Sequence, residues 1–489
     1  MPYDIILLWF NNHLRNKLKL DGIDIDKTLK EAVLLLEQEK HLSPALKSVI
    51  NILILVVTLL TNRSGLNSRN SSKPPSSDPN RLKTSRKKST KKTGGQPGHR
   101  GNTLKQVEEP DEVHSIQIDR RTLPKGHYEE AGIERRQVFE LHIARNVIEY
   151  QAQVLQNETG QRYVAPFPEG VTKAVQYGRS IKAHAVYLSQ HQLLPYNRIE
   201  EYFAEQLQIP ISQGTLFNFN KEAFKNLAEF DRISRDKLAA SGIVHADETG
   251  VNIGGKRHWL HCATNKLWTY FYPHKKRGAE AMKEMDILPR FKGILCHDHW
   301  KPYYQYNDCQ HALCNAHHLR ELTRACEQYE QVWASQMKAL LEEINIDVNN
   351  AGGSLDKEEA QKHRIYYQEI LAKAEIECPP PDTSRKKGQR GRIKRSKSRN
   401  WLERLRDYED DVLRFMEESD VPFTNNQGEN DIRMTKVQQK ISGSFRSQEG
   451  SEIFCRVRAY LSTCRKQGLT SSHAMEMLFE KRLPDFVWE

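Results

Sequence analysis

The sequence predicts an α+β chain of several domains, centred on a mixed β-sheet with helices before it, inserted into it and after it. Three observations predict this. At 489 residues the chain exceeds a single hydrophobic core and suits about two to four domains. Between Gly242 and His318, short apolar runs rich in β-formers are separated by turns and one helical pattern. On both sides of that stretch, apolar residues recur at helical spacing within strongly charged segments.

Segment 1–66 reads as an N-terminal helical unit. Leu46, Val49, Leu53, Val56 and Leu60 are spaced three, four, three, four, a heptad seam thickened by Ile50, Ile52, Ile54, Leu55 and Val57. The spacing suits either self-association or a buried helix. The most apolar run, Val49–Leu60, has twelve residues, short of the about 20 that span a bilayer. No signal peptide or lipidation motif is expected, and no membrane partner. All eight cysteines lie at or after Cys262 without a regular framework, so a reducing, cytoplasmic setting is expected.

Segment 67–106 is a polar linker, NSRNSSKPPSSDPN, followed by a basic tract and a glycine-rich hinge. The formal net charge is +11, and it is concentrated. Arg81–Arg100 carries eight Lys/Arg and Arg385–Arg399 nine, with no Asp or Glu in either. Without those 17 charges, 57 basic residues face 63 acidic ones, a net of −6. Two concentrated tracts suit contact with a phosphate backbone, or alternatively a pair of solvated, disordered linkers; Lys87, Lys88, Lys91, Lys92, Arg392, Lys394 and Arg395 are the candidate DNA-binding residues.

Segment 107–175 alternates apolar and polar residues, most clearly at Val138–Ile143 and Val147–Leu155, and is expected to form a small β-rich module. Segment 176–240 is expected to be helical. Asn197–Leu207 reads as a helix, Gln208–Pro210 as a turn and Ser212 as the next N-cap, a possible helix-turn-helix with Gln213, Thr215 and Asn218 on its second helix.

The core is expected at 241–320 and 421–447. Gly242–Asp247, Lys256–Thr264 and Leu267–Tyr272 read as strands, Gly278–Met285 as a helix, and Gly293–Asp298 and His311–Asn315 as two more strands. An antiparallel meander followed by parallel crossovers is the chain order of a ribonuclease H-like fold. Segment 321–420 is a charged helical insertion, Gln427–Lys440 a further helix, and 448–489 a helical tail that Pro484 should end.

Asp247 and Asp298 each end a predicted strand, where side chains of adjacent strands gather at one rim. Thr249 and Gly250 are expected to begin a turn, and alternation sends Glu248 away from Asp247. Glu429 opens a helix 131 residues after Asp298. Converging carboxylates repel one another unless divalent cations lie between them. Mg²⁺ (or Mn²⁺) suits oxygen ligands, and two such ions support in-line phosphoryl transfer. Arg433 and Lys436 follow Glu429 on the same helix face, placed to grip phosphate. Cys309, Cys314, His317 and His318 invite a zinc reading, but adjacent histidines diverge on a helix, and no zinc is expected. His297 and His299 flank Asp298 and could orient the site. Trp300, Tyr303 and Tyr304 could stack on a base or pack in the core.

SSKPPSSD (Ser71–Asp78), GGQPGHRG (Gly94–Gly101), HADETG (His245–Gly250), CHDHWKPYY (Cys296–Tyr304), CNAHHLREL (Cys314–Leu322) and NNQGENDIRMTKVQQKISGSFRS (Asn425–Ser447) resemble, in order, the insertion sequence 66 family of bacterial transposases. The resemblance implies a ribonuclease H-like core of the DDE superfamily, with Asp247, Asp298 and Glu429 as catalytic and metal-binding triad and Lys436 on DNA. It also implies metal-dependent cleavage at transposon ends and strand transfer into target DNA. The expected partners are terminal inverted repeats, target DNA, a second copy of the chain and accessory proteins of the same element, at the bacterial nucleoid. One departure stands out. The family's cysteine zinc module should follow GGQPGHRG, yet Val107–Pro168 has no cysteine and LPKGHYEEAG fills the place. A non-catalytic DNA-binding protein, or a Mg-dependent nuclease without strand transfer, remains open on the residues alone.

Overall fold

The computed structural model describes residues 19–20, 23–39, 41–64, 66–71, 78, 104–381 and 395–489. Lys87, Lys88, Lys91, Lys92, Arg392 and Lys394 lie outside the described residues. The chain divides into two compact units, one comprising Met1–Leu82, Pro168–Glu201 and Ile211–Glu489, the other Lys83–Phe167 and Tyr202–Pro210.

Strands β1 (Lys19–Leu20) and β2 (Ile23–Asp24) precede helices α1 (Ile25–Gln38) and α2 (Pro44–Ser64). Helix α2 runs 21 residues, beyond both ends of the apolar run. By length and composition it could therefore cross a membrane, and the side chains of its apolar stretch are largely exposed. This corrects the expectation that the segment is too short. The seam residues Leu46, Val49, Leu53, Val56 and Leu60 are all exposed. The end of α2 is anchored instead by polar contacts: Gln328 Nε2 donates to Asn62 O at 3.1 Å and Asn70 Nδ2 to Glu327 Oε2 at 2.8 Å.

The second unit contains β3 (Val154–Gln156) paired antiparallel with β4 (Arg162–Val164). The expected strand at Val138–Ile143 is absent, and Val147–Leu155 contributes only its end. Alternation misled here. Val138 is 80% and Leu141 83% exposed, so among the described residues these apolar side chains meet no second layer, and a two-stranded ribbon cannot bury them.

Helices α3 (Arg179–Val186), α4 (Tyr196–Leu207), α5 (Gln213–Asn226) and α6 (Ala228–Ala239) follow. Ser212 caps α5 as expected, its Oγ accepting from Thr215 N at 3.2 Å. Gln208 takes φ 53° at the turn.

The sheet comprises β5 (Ile243–Ile253), β6 (Lys256–Thr264), β7 (Thr269–His274), β8 (Ile294–His297) and β9 (Gln310–Leu313), with α7 (Ala279–Met285) between β7 and β8. Its order is β7-β6-β5-β8-β9, antiparallel across the first three strands and parallel across the last two. Strand β5 does not stop at Thr249–Gly250 as expected. It continues to Ile253, and the turn falls on Gly254 and Gly255, whose φ of 57° and 78° suit a two-residue hairpin.

Helices α8 (Asn315–Tyr329), α9 (Val332–Asn350), α10 (Lys357–Glu377), α11 (Lys397–Asp407) and α12 (Glu409–Glu417) form the charged insertion. They share one core with the sheet edge: Trp333, Met337, Tyr367, Leu402 and Phe415 pack in the same cluster as Cys296, Ala312 and Leu313. Each large side chain buried there contributes about 2–3 kcal/mol, so the insertion is bound firmly to β8 and β9. Helix α13 (Asn426–Ser442) then returns across β5, followed by α14 (Gln448–Lys466) and α15 (Ser471–Phe479).

Candidate active site

Register brings the first two acids together. In the parallel ladder His245 pairs with Cys296, and two residues on in each chain stand Asp247 and Asp298. Adjacent strands lie about 4.8 Å apart, so the two carboxylates head neighbouring positions on one rim. Asp247 lies within the long β5, at the point where its parallel partner ends, and not at a strand terminus as expected. Asp298 lies just past β8 and accepts the Trp300 N–H at 3.0 Å.

Glu429 arrives by way of α13, which is tied to β5 along its length. At its start, the buried Asn425 side chain donates from Nδ2 to Ala246 O at 2.8 Å and meets His245 Nδ1 at 2.7 Å. Midway, the Lys436 ammonium donates to Gly250 O. After its end, Phe445 N donates to Asn252 O at 3.0 Å and Gly254 N to Phe445 O at 2.8 Å. Gly428 permits the close approach: a Cβ there would lie 3.5 Å from Asp247 Cβ and 3.3 Å from the Asn425 side chain.

The electrostatics record the convergence. Burial, then the Glu248 and Asp298 carboxylates and finally Glu429, hold the Asp247 carboxyl well above the usual range, against one favourable bond from Glu248 N. Glu429 Oε1 is buried without a hydrogen bond among the described residues, 3.9 Å from His317 Nδ1 and 4.0 Å from Arg320 Nη2. A like-charge cluster with an unsatisfied inward oxygen fits hard divalent cations.

Glu248 turns the other way, as alternation requires. Tyr303 OH donates to its Oε2 at 2.7 Å, and Arg277 Nε to its Oε1 at 2.9 Å. The Arg277 guanidinium in turn lies 4.8 Å from the Trp259 ring centre and 4.3 Å from that of Trp300. Burial, then Asp298, raises the Glu248 carboxyl, while Tyr303 and Arg277 oppose. Sequence reasoning did not foresee this clasp, because Arg277 lies 29 residues away with no motif to mark it.

Helix α13 has a second anchor. Lys466 Nζ donates to Asp431 Oδ2 at 2.7 Å, Thr269 Oγ1 at 2.6 Å and Asn265 O at 2.9 Å. Asp431 also accepts from Thr264 Oγ1 at 2.6 Å. The signal was present in the sequence as Asp431 two residues after Glu429, but its partner is a helix away.

Arg433 is exposed on α13. Arg395 is engaged with Glu403. His297 is fully buried between His311 and the His299 N–H, aimed into the core. Tyr303 is buried, Tyr304 is half-buried against His297, and Trp300 covers Arg277. Gln213 donates to Glu200, and Asn218 is exposed. Cys309 donates to Tyr306 O and His318 meets Asn315, so the four residues Cys309, Cys314, His317 and His318 do not converge on one point, whereas Cys314 and His317 gather with Glu429.

A family model described as Transposase IS66 family matches residues 174–453, more than half of the chain. A second, described as a family of unknown function (DUF6444), matches residues 24–105. "Uncharacterized protein y4jO" of Sinorhizobium fredii (strain NBRC 101917 / NGR234) is 35% identical over 72 residues, covering 15% of this chain and 22% of that protein. The chain thus spans less than a quarter of that curated relative's length.

Proposed function

Since the chain belongs to the IS66 family of transposases, we propose that it cuts and joins DNA on a ribonuclease H-like core, with Asp247, Asp298 and Glu429 as a metal-dependent DDE triad. The observation that carries this reading is the register match of Asp247 with Asp298, with the first turn of the Glu429 helix laid against Asp247. The sheet order and its parallel half support the fold assignment.

The three carboxylates would hold two Mg²⁺ (or Mn²⁺) ions. Bound there, such ions neutralise charge on phosphate oxygens and ease deprotonation of water. The chain's own residues do the rest. Asn425 and Gly428 set the height of Glu429 over the rim. The Glu248–Arg277–Trp300 clasp stiffens the turn that presents Asp298. Arg433 and the lysine-rich tracts hold the DNA backbone, and Lys436 joins them on leaving Gly250. Water hydrolyses the phosphodiester at each transposon end, and the freed 3′-hydroxyl attacks target DNA. Two ends cut together call for two copies of the chain, and the exposed seam of α2 supplies a face for pairing. Terminal repeats, target DNA and accessory proteins are the partners, and the bacterial cytoplasm at the nucleoid is the setting.

Asp247→Asn tests the reading. It should abolish Mg²⁺-supported cleavage and joining while end binding in a mobility-shift assay stays nearly intact; undiminished cleavage would remove the triad from the mechanism. Pre-cut ends supplied with target DNA separate transposition from plain nuclease action, since a nuclease yields only hydrolysis.

A further inference from the structure

The start of α8 carries the sequence Cys-Asn-Ala-His, Cys314–His317, and faces the first turn of α13. Cys314 Sγ, a ring nitrogen of His317 and a Glu429 carboxylate oxygen all lie within 4.8 Å of one another. Two of the three groups hold atoms short of a partner: His317 Nδ1 and Glu429 Oε1 are both buried and, among the described residues, neither makes a hydrogen bond. Such orphaned atoms are costly unless a ligand satisfies them.

Cys314 is set up as a ligand of a different kind. Asn425 N donates to its Sγ at 3.1 Å, and the backbone N–H groups of His317 and Ala316 are also directed at it. Hydrogen bonds from backbone N–H groups stabilise a thiolate, as does the start of a helix. Burial opposes these bonds and pushes the thiol up to about 11.

We propose that Cys314, His317 and Glu429 form a site for a borderline-soft divalent cation of the zinc class, with a fourth position open to solvent or substrate. Metal–ligand distances of about 2.0–2.3 Å place tetrahedral ligand atoms about 3.3–3.8 Å apart, close to the 3.9 Å between His317 Nδ1 and Glu429 Oε1. Thiolate and imidazole favour Zn²⁺ over Mg²⁺. Binding releases the Cys314 proton to solvent. The resulting thiolate and the Glu429 carboxylate balance the two positive charges, with Arg320 alongside at 4.0 Å from Glu429. A consequence, which rests on the proposed function, is that zinc here engages Glu429 and competes with its service to the magnesium site.

Co²⁺ titration of the metal-stripped full chain tests the proposal, since a thiolate bound to Co²⁺ gives an intense near-ultraviolet charge-transfer band. One equivalent should produce the band and Zn²⁺ should displace it. Cys314→Ser should abolish it, and His317→Gln should weaken Co²⁺ binding at least tenfold. Circular dichroism and thermal melts establish that each variant is folded. Absence of the band in the folded wild-type chain, or an undiminished band in Cys314→Ser, overturns the site. Asp247→Asn separates the two readings. If it loses cleavage while the wild type shows no band, only the zinc site falls; if it keeps both band and cleavage, the proposed function falls and the zinc site stands.

Discussion

At Gly428, a single missing side chain decides how near Glu429 comes to Asp247. Glycine is not needed here for its backbone freedom, since the residue lies in a regular helix turn. It is needed for space, with the Asn425 side chain 3.3 Å and Asp247 Cβ 3.5 Å from where a methyl would sit. Gly428→Ala should therefore lift α13 by a few tenths of an ångström at modest cost, about 1–3 kcal/mol of overpacking. Misplacing a catalytic group by up to an ångström costs as much as about 100-fold in rate, so, on the proposed triad, cleavage should fall about 10- to 100-fold while the chain stays folded. Cleavage rates set beside a thermal melt check this, and a wild-type rate with a lowered Tm would count against it. The strands before Asp247 and Asp298 and the helix carrying Glu429 were legible in local patterns. The parts played by Asn425 and Gly428 were not, because their role depends on a strand about 180 residues earlier.

Among the elements, α13 is the one whose placement matters most, and Lys466 on α14 secures it. Its ammonium is buried and bonded to Asp431, Thr264 and Thr269 together. Removing one partner of a buried pair leaves the other charge uncompensated, at a cost of about 3–5 kcal/mol. Lys466→Met should lower urea-unfolding stability by that order. Adding Asp431→Asn should recover part of the loss, as a double-mutant cycle would show. Helix α2 presents the opposite situation, an apolar seam that no other element covers among the described residues. If it pairs with a second copy, Leu53→Glu with Val56→Glu should convert a dimer to a monomer in sedimentation equilibrium. An unchanged mass would exclude the seam as the pairing face. The heptad spacing was legible in the sequence, whereas the full 21-residue extent of the helix was not, since its polar ends lack apolar periodicity.

For the whole molecule, buried neutral histidines set an acid limit. Burial, helped by neighbouring positive charge, lowers His261 and His191 to about 4 each. Both groups titrate near 6.5 when unfolded, so the unfolded chain binds protons first as pH falls. The stability they contribute is fully present above about pH 6.5 and is lost progressively down to about pH 4. His261, almost wholly buried against Lys276 O, could account for up to about 3 kcal/mol, and the more exposed His191 for less. Melting temperature should drop across that window, and His261→Gln should flatten the slope. A flat profile for the wild type would show that these rings are already protonated in the fold.

Local chemistry alone determined the strand and helix sequence of the core, the N-cap at Ser212 and the charge concentration, because periodicity and capping act over a few residues. Tertiary structure decided what those residues meet. It extended β5 past Gly250 to the Gly254–Gly255 turn, left Val138–Ile143 without a strand, turned His297 into the core, and joined Cys314 and His317 to Glu429. Each of these depends on a partner distant in sequence. Burial, register and electrostatic repulsion are properties of pairs that come together only when the chain has folded.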